Sequence, residues 1–236
     1  MKTLKLWYIP AAFYAICCVL NLYGCLTDGP LERFIKPALM PLLCVTTLAY
    51  LLTAERRPDS LKMIPLLVAG QLFGFAGDTM LMGSGFIWFA GGIVLFLIGH
   101  IFYISLFGGI SWKGLKLRHW IIALAVMLAA TAGLIICIGV NGVMLAPMGI
   151  YGFTLTVLIF SALAGVLKGS SVAVGGRATW LILLCGALLF TFSDSLIAVR
   201  NFGELSPFMS GFGVMFTYLL AQTLLAIGGV RLAEGK

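Results

Sequence analysis

Residues 86–107 read FIWFAGGIVLFLIGHIFYISLF: twenty-two positions without a single Asp, Glu, Lys or Arg. A helix rises about 1.5 Å per residue, so this run reaches across a ~30 Å hydrocarbon core. It is flanked by Gly83-Ser84-Gly85, a tight-turn sequence, and by Trp112-Lys113-Gly114. Seven more runs of this kind lie at about 6–26, 36–52, 64–82, 119–140, 148–167, 179–199 and 209–232. Asp28-Gly29-Pro30, Glu55-Arg56-Arg57-Pro58-Asp59, Asn141-Gly142, Pro147, Gly175-Gly176-Arg177 and Ser206-Pro207 punctuate them. The chain is 61% hydrophobic and 10% charged over 236 residues. A soluble domain is closer to 45–50% apolar and about 25% charged. The sequence therefore predicts an all-α, polytopic membrane bundle of eight transmembrane helices. Residues 1–236 form one unit with no room for a separate soluble domain.

The net charge of +7 lies in the short connections, where it reports topology. With eight spans, twelve of the fifteen Lys and Arg residues fall on the side that holds both termini. Arg33, Lys36 and Arg200 fall on the other. The positive-inside rule then places both termini in the cytoplasm. In a bacterium the membrane would be the inner, plasma membrane. The basic balance carries no nucleic-acid motif, and no nucleic-acid partner is expected. The N-terminal apolar stretch lacks a small-residue cleavage site and reads as a retained first helix. The six cysteines sit within or at the ends of apolar runs and form no CxxC pair, so they read as small buried hydrophobes.

Two carboxylates break the apolar pattern: Asp78 in the third span and Asp194 in the seventh. A carboxylate in a spanning helix costs about 2.5–3.5 kcal/mol on insertion scales, and such residues usually serve a function. Counted from the expected ends of their helices, Asp78 lies about 6 Å and Asp194 about 7–8 Å below the outer surface. Lys36, read as opening the second helix, and Arg200, read as closing the seventh, border the same layer. Two close carboxylates in a low-dielectric site do not both ionise easily, so the pair offers an acid and a base together. The cations above them would bind a lipid phosphate. The structural alternative is that the aspartates cross-link helices and that the cations snorkel to the interface.

His100 and Tyr103 share a face of the fourth helix, with His100 about 21 Å below the outer end and well below the aspartates. Gln222 falls at a similar depth on the last helix, with Tyr218 a turn above it. A hydrogen bond from His100 to a glutamine or tyrosine and a role at the site are both open readings. Gly70-Gln-Leu-Phe-Gly74 is a GxxxG that suits either intramolecular packing or a homodimer. No internal repeat suggests a transporter duplication. No HExxH, paired cysteines or GxSxG occurs, and Ser193 and Ser195 have no evident histidine partner.

These pieces resemble a known family. Lys36-Pro37, the block Gly77-Asp78-Thr-Met-Leu81 with Phe89, Phe96, His100 and Tyr103, the block Gly186 to Ser195 with Ala198 and Phe202, and Tyr218-Leu-Leu-Ala-Gln222 are similar, in order, to the motifs of the YhhN-like lysoplasmalogenase family. The resemblance implies an eight-helix membrane hydrolase that cleaves the vinyl-ether bond of a lysoplasmalogen. The products are a fatty aldehyde and glycerophosphoethanolamine or glycerophosphocholine, and no metal or other cofactor is needed. Vinyl ethers hydrolyse by rate-limiting proton transfer to the β-carbon. One aspartic acid, with Asp78 favoured, would supply that proton, and the other would stabilise the oxocarbenium ion and activate water. Lys36, Arg200, Ser193, His100, Tyr103, Tyr218 and Gln222 are the expected substrate-binding residues, with a lysophospholipid and the bilayer as partners. A proton-coupled transporter and a non-catalytic lipid-binding protein are the rival readings.

Overall fold

The structure is a computed structural model that describes residues 6–27, 29–54, 58–169 and 174–235. Eight helices account for nearly all of it: α1 Tyr8–Thr27, α2 Leu31–Thr53, α3 Met63–Leu81, α4 Phe86–Ser111, α5 Leu117–Ile138, α6 Leu145–Lys168, α7 Arg177–Phe202 and α8 Val214–Glu234. All eight are long and apolar enough to cross a membrane, as the sequence predicts, and the chain is a multi-pass integral membrane protein. Lys2, Lys5, Arg56, Arg57 and Lys236, which carry part of the orientation argument, lie outside the described residues.

Two helix ends differ from expectation in ways that matter. The helix α2 starts at Leu31, so Lys36 lies in its second turn instead of opening it. Pro37 looks like a first-turn proline, yet both it and Pro41 are inside the helix; a transmembrane bundle tolerates this because neighbours satisfy the freed backbone groups. Helix α7 runs on to Phe202, so Arg200 is two residues short of its end. Asp194 consequently lies about 12 Å from the end of α7, while Asp78 lies about 4.5 Å from the end of α3. The two depths are not matched when counted from the helix ends.

The arrangement follows from which helices must hide polar atoms. Helix α8 carries Thr217, Tyr218, Gln222, Gly228 and Gly229, all buried or nearly so. It occupies the centre of the bundle against α7, α3, α2 and α1. Lipid offers no hydrogen bonds, so a polar stripe is stable only inside protein. Helix α5 is apolar around its circumference and buries only Ala123, Met127 and Thr131. It sits at the rim, packed mainly on α6.

A π-helical turn, Met209–Gly213, leads into α8. Such turns leave carbonyls without their usual α-helical donors. Here side chains supply donors: Ser193 Oγ reaches the Val214 carbonyl at 3.1 Å, and Thr217 Oγ1 reaches Gly213 at 2.8 Å and Val214 at 3.1 Å.

Candidate functional site

Helix α3 brings Asp78 into the bundle on a stripe of small residues. A methyl group on Gly70 would lie 2.8 Å from the Tyr103 ring. On Gly74 it would lie 3.1 Å from Gln222 Nε2, and on Gly77 2.9 Å from the Phe96 ring. The GxxxG is thus filled by the chain's own α4 and α8, whose polar side chains reach α3 only because these positions have no side chain.

Those side chains form a relay of donors that ends on the carboxylate. Tyr103 Oη donates to Gln222 Oε1 at 3.0 Å, Gln222 Nε2 to Tyr218 Oη at 3.4 Å, and Tyr218 Oη to Asp78 Oδ2 at 2.5 Å. Every bond points the same way, so each donor polarises the next. All four residues are buried, Asp78 at 6% exposure.

Asp194 has a separate holder. Tyr151, on α6, donates its phenol proton to Asp194 Oδ2, and the carboxylate is 7% exposed. Its Oδ1 has no hydrogen-bond partner among the described residues. Two small cavities adjoin it. One of ≈ 20 Å³ is bounded by Leu81, Phe89, Phe96 and Tyr151, and one of ≈ 30 Å³ by Tyr151, Leu155 and Ser195. Each has room for about one water.

Three rings join the halves. Phe190 meets Tyr218 at 5.5 Å, and Phe96 meets both Tyr218 and Phe190 at 6.1 Å, all edge to face. From Phe190 the packing runs on to His100 at 4.5 Å and from His100 to Tyr151 at 5.7 Å, so the tyrosines that hold Asp78 and Asp194 belong to one cluster of rings.

His100 departs from expectation. It makes no bond to Gln222, whose amide is taken by Tyr103 and Tyr218. Its ring lies 4.5 Å from Phe190 and 5.7 Å from Tyr151, and neither nitrogen has a partner among the described residues. Nor does it sit in an isolated lower layer, because Tyr151 spans the gap between it and Asp194. Ser193 also differs. It is fully buried, and its hydroxyl is spent on the Val214 carbonyl of α8.

At the end of the bundle where α3 turns into α4 there is a vestibule of ≈ 400 Å³, lined by Gly83, Ser84, Phe86, Arg200 and Phe202. Leu81 and Phe89 form part of its wall and also part of the wall of the small cavity at Asp194. Phe89 packs edge-on to Phe202 at 6.0 Å. The vestibule and Asp194 are therefore separated by a thin apolar partition with an arginine on its open side. Arg200 is itself tethered by Nη1 to the Ser210 carbonyl at 3.4 Å. Lys36 does not line this vestibule.

Tyr151 is the residue that the sequence reading missed. A tyrosine near the start of a span reads as part of the aromatic belt at the membrane interface. Its 5% exposure, among apolar neighbours, marks it as a core residue instead. Among the described residues, no three His, Cys, Asp or Glu side chains converge as a metal-ligand set.

Residues 31–229, which hold the whole of this constellation, match the YhhN family. The chain belongs to the YhhN family. It is 31% identical over 166 residues to the human protein named lysoplasmalogenase TMEM86A, and 30% identical over 165 residues to the bovine protein of that name. Each match covers 70% of this chain and 65% of the relative. The mouse protein named lysoplasmalogenase TMEM86B is 28% identical over 140 residues, which is 59% of this chain and 53% of its own. The chain thus spans just under two-thirds of the length of the first two relatives. No solved structure matches it.

Proposed function

We propose that this YhhN-family chain is a lysoplasmalogenase: it hydrolyses the vinyl-ether bond of a lysoplasmalogen with Asp78 and Asp194 as the acid–base pair. The carrying observation is that two buried carboxylates, each gripped by its own tyrosine, are tied into one cluster of packed rings behind an arginine-lined vestibule. The relatives' names agree with this reading.

In the reaction, a lysolipid enters the vestibule with its phosphate at Arg200 and its alkenyl chain directed past Phe89 toward the aspartates. Asp78, in its protonated form, gives its proton to the β-carbon of the vinyl ether, and the C=C π pair forms the new C–H bond. The α-carbon becomes an oxocarbenium ion, which the Asp194 carboxylate stabilises. A water activated by Asp194 adds to that carbon and yields a hemiacetal. Collapse of the hemiacetal breaks the C–O bond to glycerol, releasing a fatty aldehyde and a glycerophospho-alcohol. In that collapse Asp194 passes the proton it took from water to the departing glycerol oxygen and the Asp78 carboxylate takes the hemiacetal hydroxyl proton, so one water is consumed and both carboxyl groups return to their starting states. Acid–base assistance of this type contributes about 10²–10⁴-fold in rate.

The two tyrosines suit the two aspartates to different work. Tyr218 is the last member of a donor relay, so its grip on Asp78 is tunable through Gln222 and Tyr103. Tyr151 takes one oxygen of Asp194 and leaves the other directed at a water-sized space. The charge distribution puts both termini in the cytoplasm, so the vestibule opens on the opposite, extracytoplasmic side.

The test is incubation of purified protein with a defined lysoplasmenylethanolamine, with aldehyde release measured in the presence and absence of a chelator. Chelator-insensitive release supports the proposal. No release by folded, monodisperse protein in both detergent and nanodiscs overturns it.

A further inference from the structure

Between Asp78 and Asp194 the sequence holds no acidic residue and five basic ones: Lys113, Lys116, Arg118, Lys168 and Arg177. All five lie at the end of the bundle opposite the vestibule, in the α4–α5 connection, the end of α6 and the start of α7. A cavity of ≈ 560 Å³ opens there between α5 and α6. Gly114 and His119 stand at its mouth, Ala123, Ala130 and Ala164 along its walls, and Thr156 at its inner end. Alanines on both helices leave a gap that larger side chains would close. Along α5 the cavity runs from His119 to Ala130, about eleven residues or about 16 Å. That is half of a ~30 Å hydrocarbon core, the depth of one leaflet. Thr131 and Thr156 mark its floor, with their hydroxyl oxygens 3.5 Å apart.

The mouth is built. Lys168 Nζ donates to the Ser111 and Lys113 carbonyls and ties the end of α6 to the α4–α5 connection. His119 Nδ1 accepts from the Lys116 N–H at 3.1 Å, so a neutral ring carries its proton on Nε2. Trp112 meets Trp120 at 5.2 Å, and Trp120 meets Phe160 at 5.7 Å. Tryptophans at the end of a span mark the head-group level of a bilayer. Lys113, Lys116 and Arg118 are exposed at that level.

We infer that this cavity binds one anionic diacyl phospholipid of the adjoining leaflet. One acyl chain lies in the gap between α5 and α6, and the phosphate sits among Lys113, Lys116 and Arg118, with His119 donating to it from Nε2. A slot one leaflet deep under a cationic mouth matches a negative head on an apolar tail. Among the described residues, no acidic side chain bounds the cavity, so a zwitterionic head finds no partner there for its amine. A second copy of the chain packed two-fold on this face would set the same cations against these. The site lies at the opposite end of α4 from the vestibule and does not depend on the activity proposed above.

The test uses the full chain in a non-ionic detergent and native mass spectrometry of retained lipid. The probes are dioleoyl phosphatidylglycerol, dioleoyl phosphatidylethanolamine and free glycerophosphate. Phosphatidylglycerol is expected to bind about tenfold more tightly than phosphatidylethanolamine. Lys113→Gln, Lys116→Gln and Arg118→Gln combined should erase that preference. Ala130→Trp fills the slot and leaves the cations in place. It should weaken retention of phosphatidylglycerol about tenfold, and it keeps the test open if the triple variant does not fold or insert. Equal retention of the two lipids by the unaltered chain overturns the inference. So does an unchanged preference in the triple variant, or unchanged retention in Ala130→Trp. Glycerophosphate bound as tightly as phosphatidylglycerol assigns the cations to a free phosphate, and a dimer that excludes lipid assigns the cavity to a second copy; either result overturns the inference.

Discussion

Tyr218 donates to Asp78 at 2.5 Å, joining the first turn and a half of α8 to the last turn of α3 across 140 residues of sequence. The same phenol accepts from Gln222, which accepts from Tyr103. The carboxylate is thus the end of a polar relay anchored on three helices, and its position depends on Gln222 and Tyr103 as well as on Tyr218.

That dependence is measurable. Gln222→Leu leaves Tyr218 in place but removes the donor behind it. Turnover is expected to fall about tenfold with little change in KM, since a hydrogen-bond network of this kind is worth about 1–2 kcal/mol. Tyr218→Phe, which unpairs Asp78 outright, should cost more than Gln222→Leu. Steady-state aldehyde release by the two variants checks the order.

The glycine stripe predicts a loss of stability of a specific kind. Gly70→Ala puts a methyl group 2.8 Å from the Tyr103 ring. Overpacking of this sort costs about 1–3 kcal/mol. The thermal midpoint in detergent should fall, and Gly70→Ala combined with Tyr103→Leu should recover part of the loss.

His100 predicts opposite effects on stability and activity. A buried imidazole with neither nitrogen bonded costs about 1–3 kcal/mol for each unsatisfied group. His100→Leu should therefore raise the thermal midpoint, or leave it unchanged, while lowering the turnover that Asp194 and Tyr151 support. A variant that is both less stable and fully active would assign the ring to packing alone.

Arg200 borders the vestibule and is exposed. Arg200→Gln should raise KM about tenfold with kcat nearly unchanged, as expected when a charge-assisted contact binds substrate and transition state alike. At the neighbouring position, Asn201→Cys should react with a membrane-impermeant thiol reagent added from outside the cell. Protection there would contradict the orientation drawn from the Lys and Arg distribution.

The eight spans were legible because each is a long apolar run closed by glycine, proline or charge, and the bilayer enforces that length. Asp78 and Asp194 were legible because a carboxylate in such a run is expensive. Helix ends were less so. Pro37 reads as a start, yet α2 begins at Leu31, since Leu31 and Glu32 carry no stop signal and the first turns of a spanning helix can precede a proline. Tyr151 was hidden by its position near the start of α6, where an aromatic at the interface and an aromatic in the core look alike in one sequence. The surroundings of His100 were hidden for another reason. Counting along one helix gives its height, but the Tyr151 side chain that links it to Asp194 crosses between helices.

The most direct test of the account is the rate of vinyl-ether cleavage by Asp78→Asn and Asp194→Asn, each purified, folded and compared with the unaltered chain. Each substitution keeps the shape and removes the acid–base function, so the account predicts a loss of about 10²–10⁴-fold or more in kcat for both. A variant of either aspartate that releases aldehyde at the unaltered rate contradicts it.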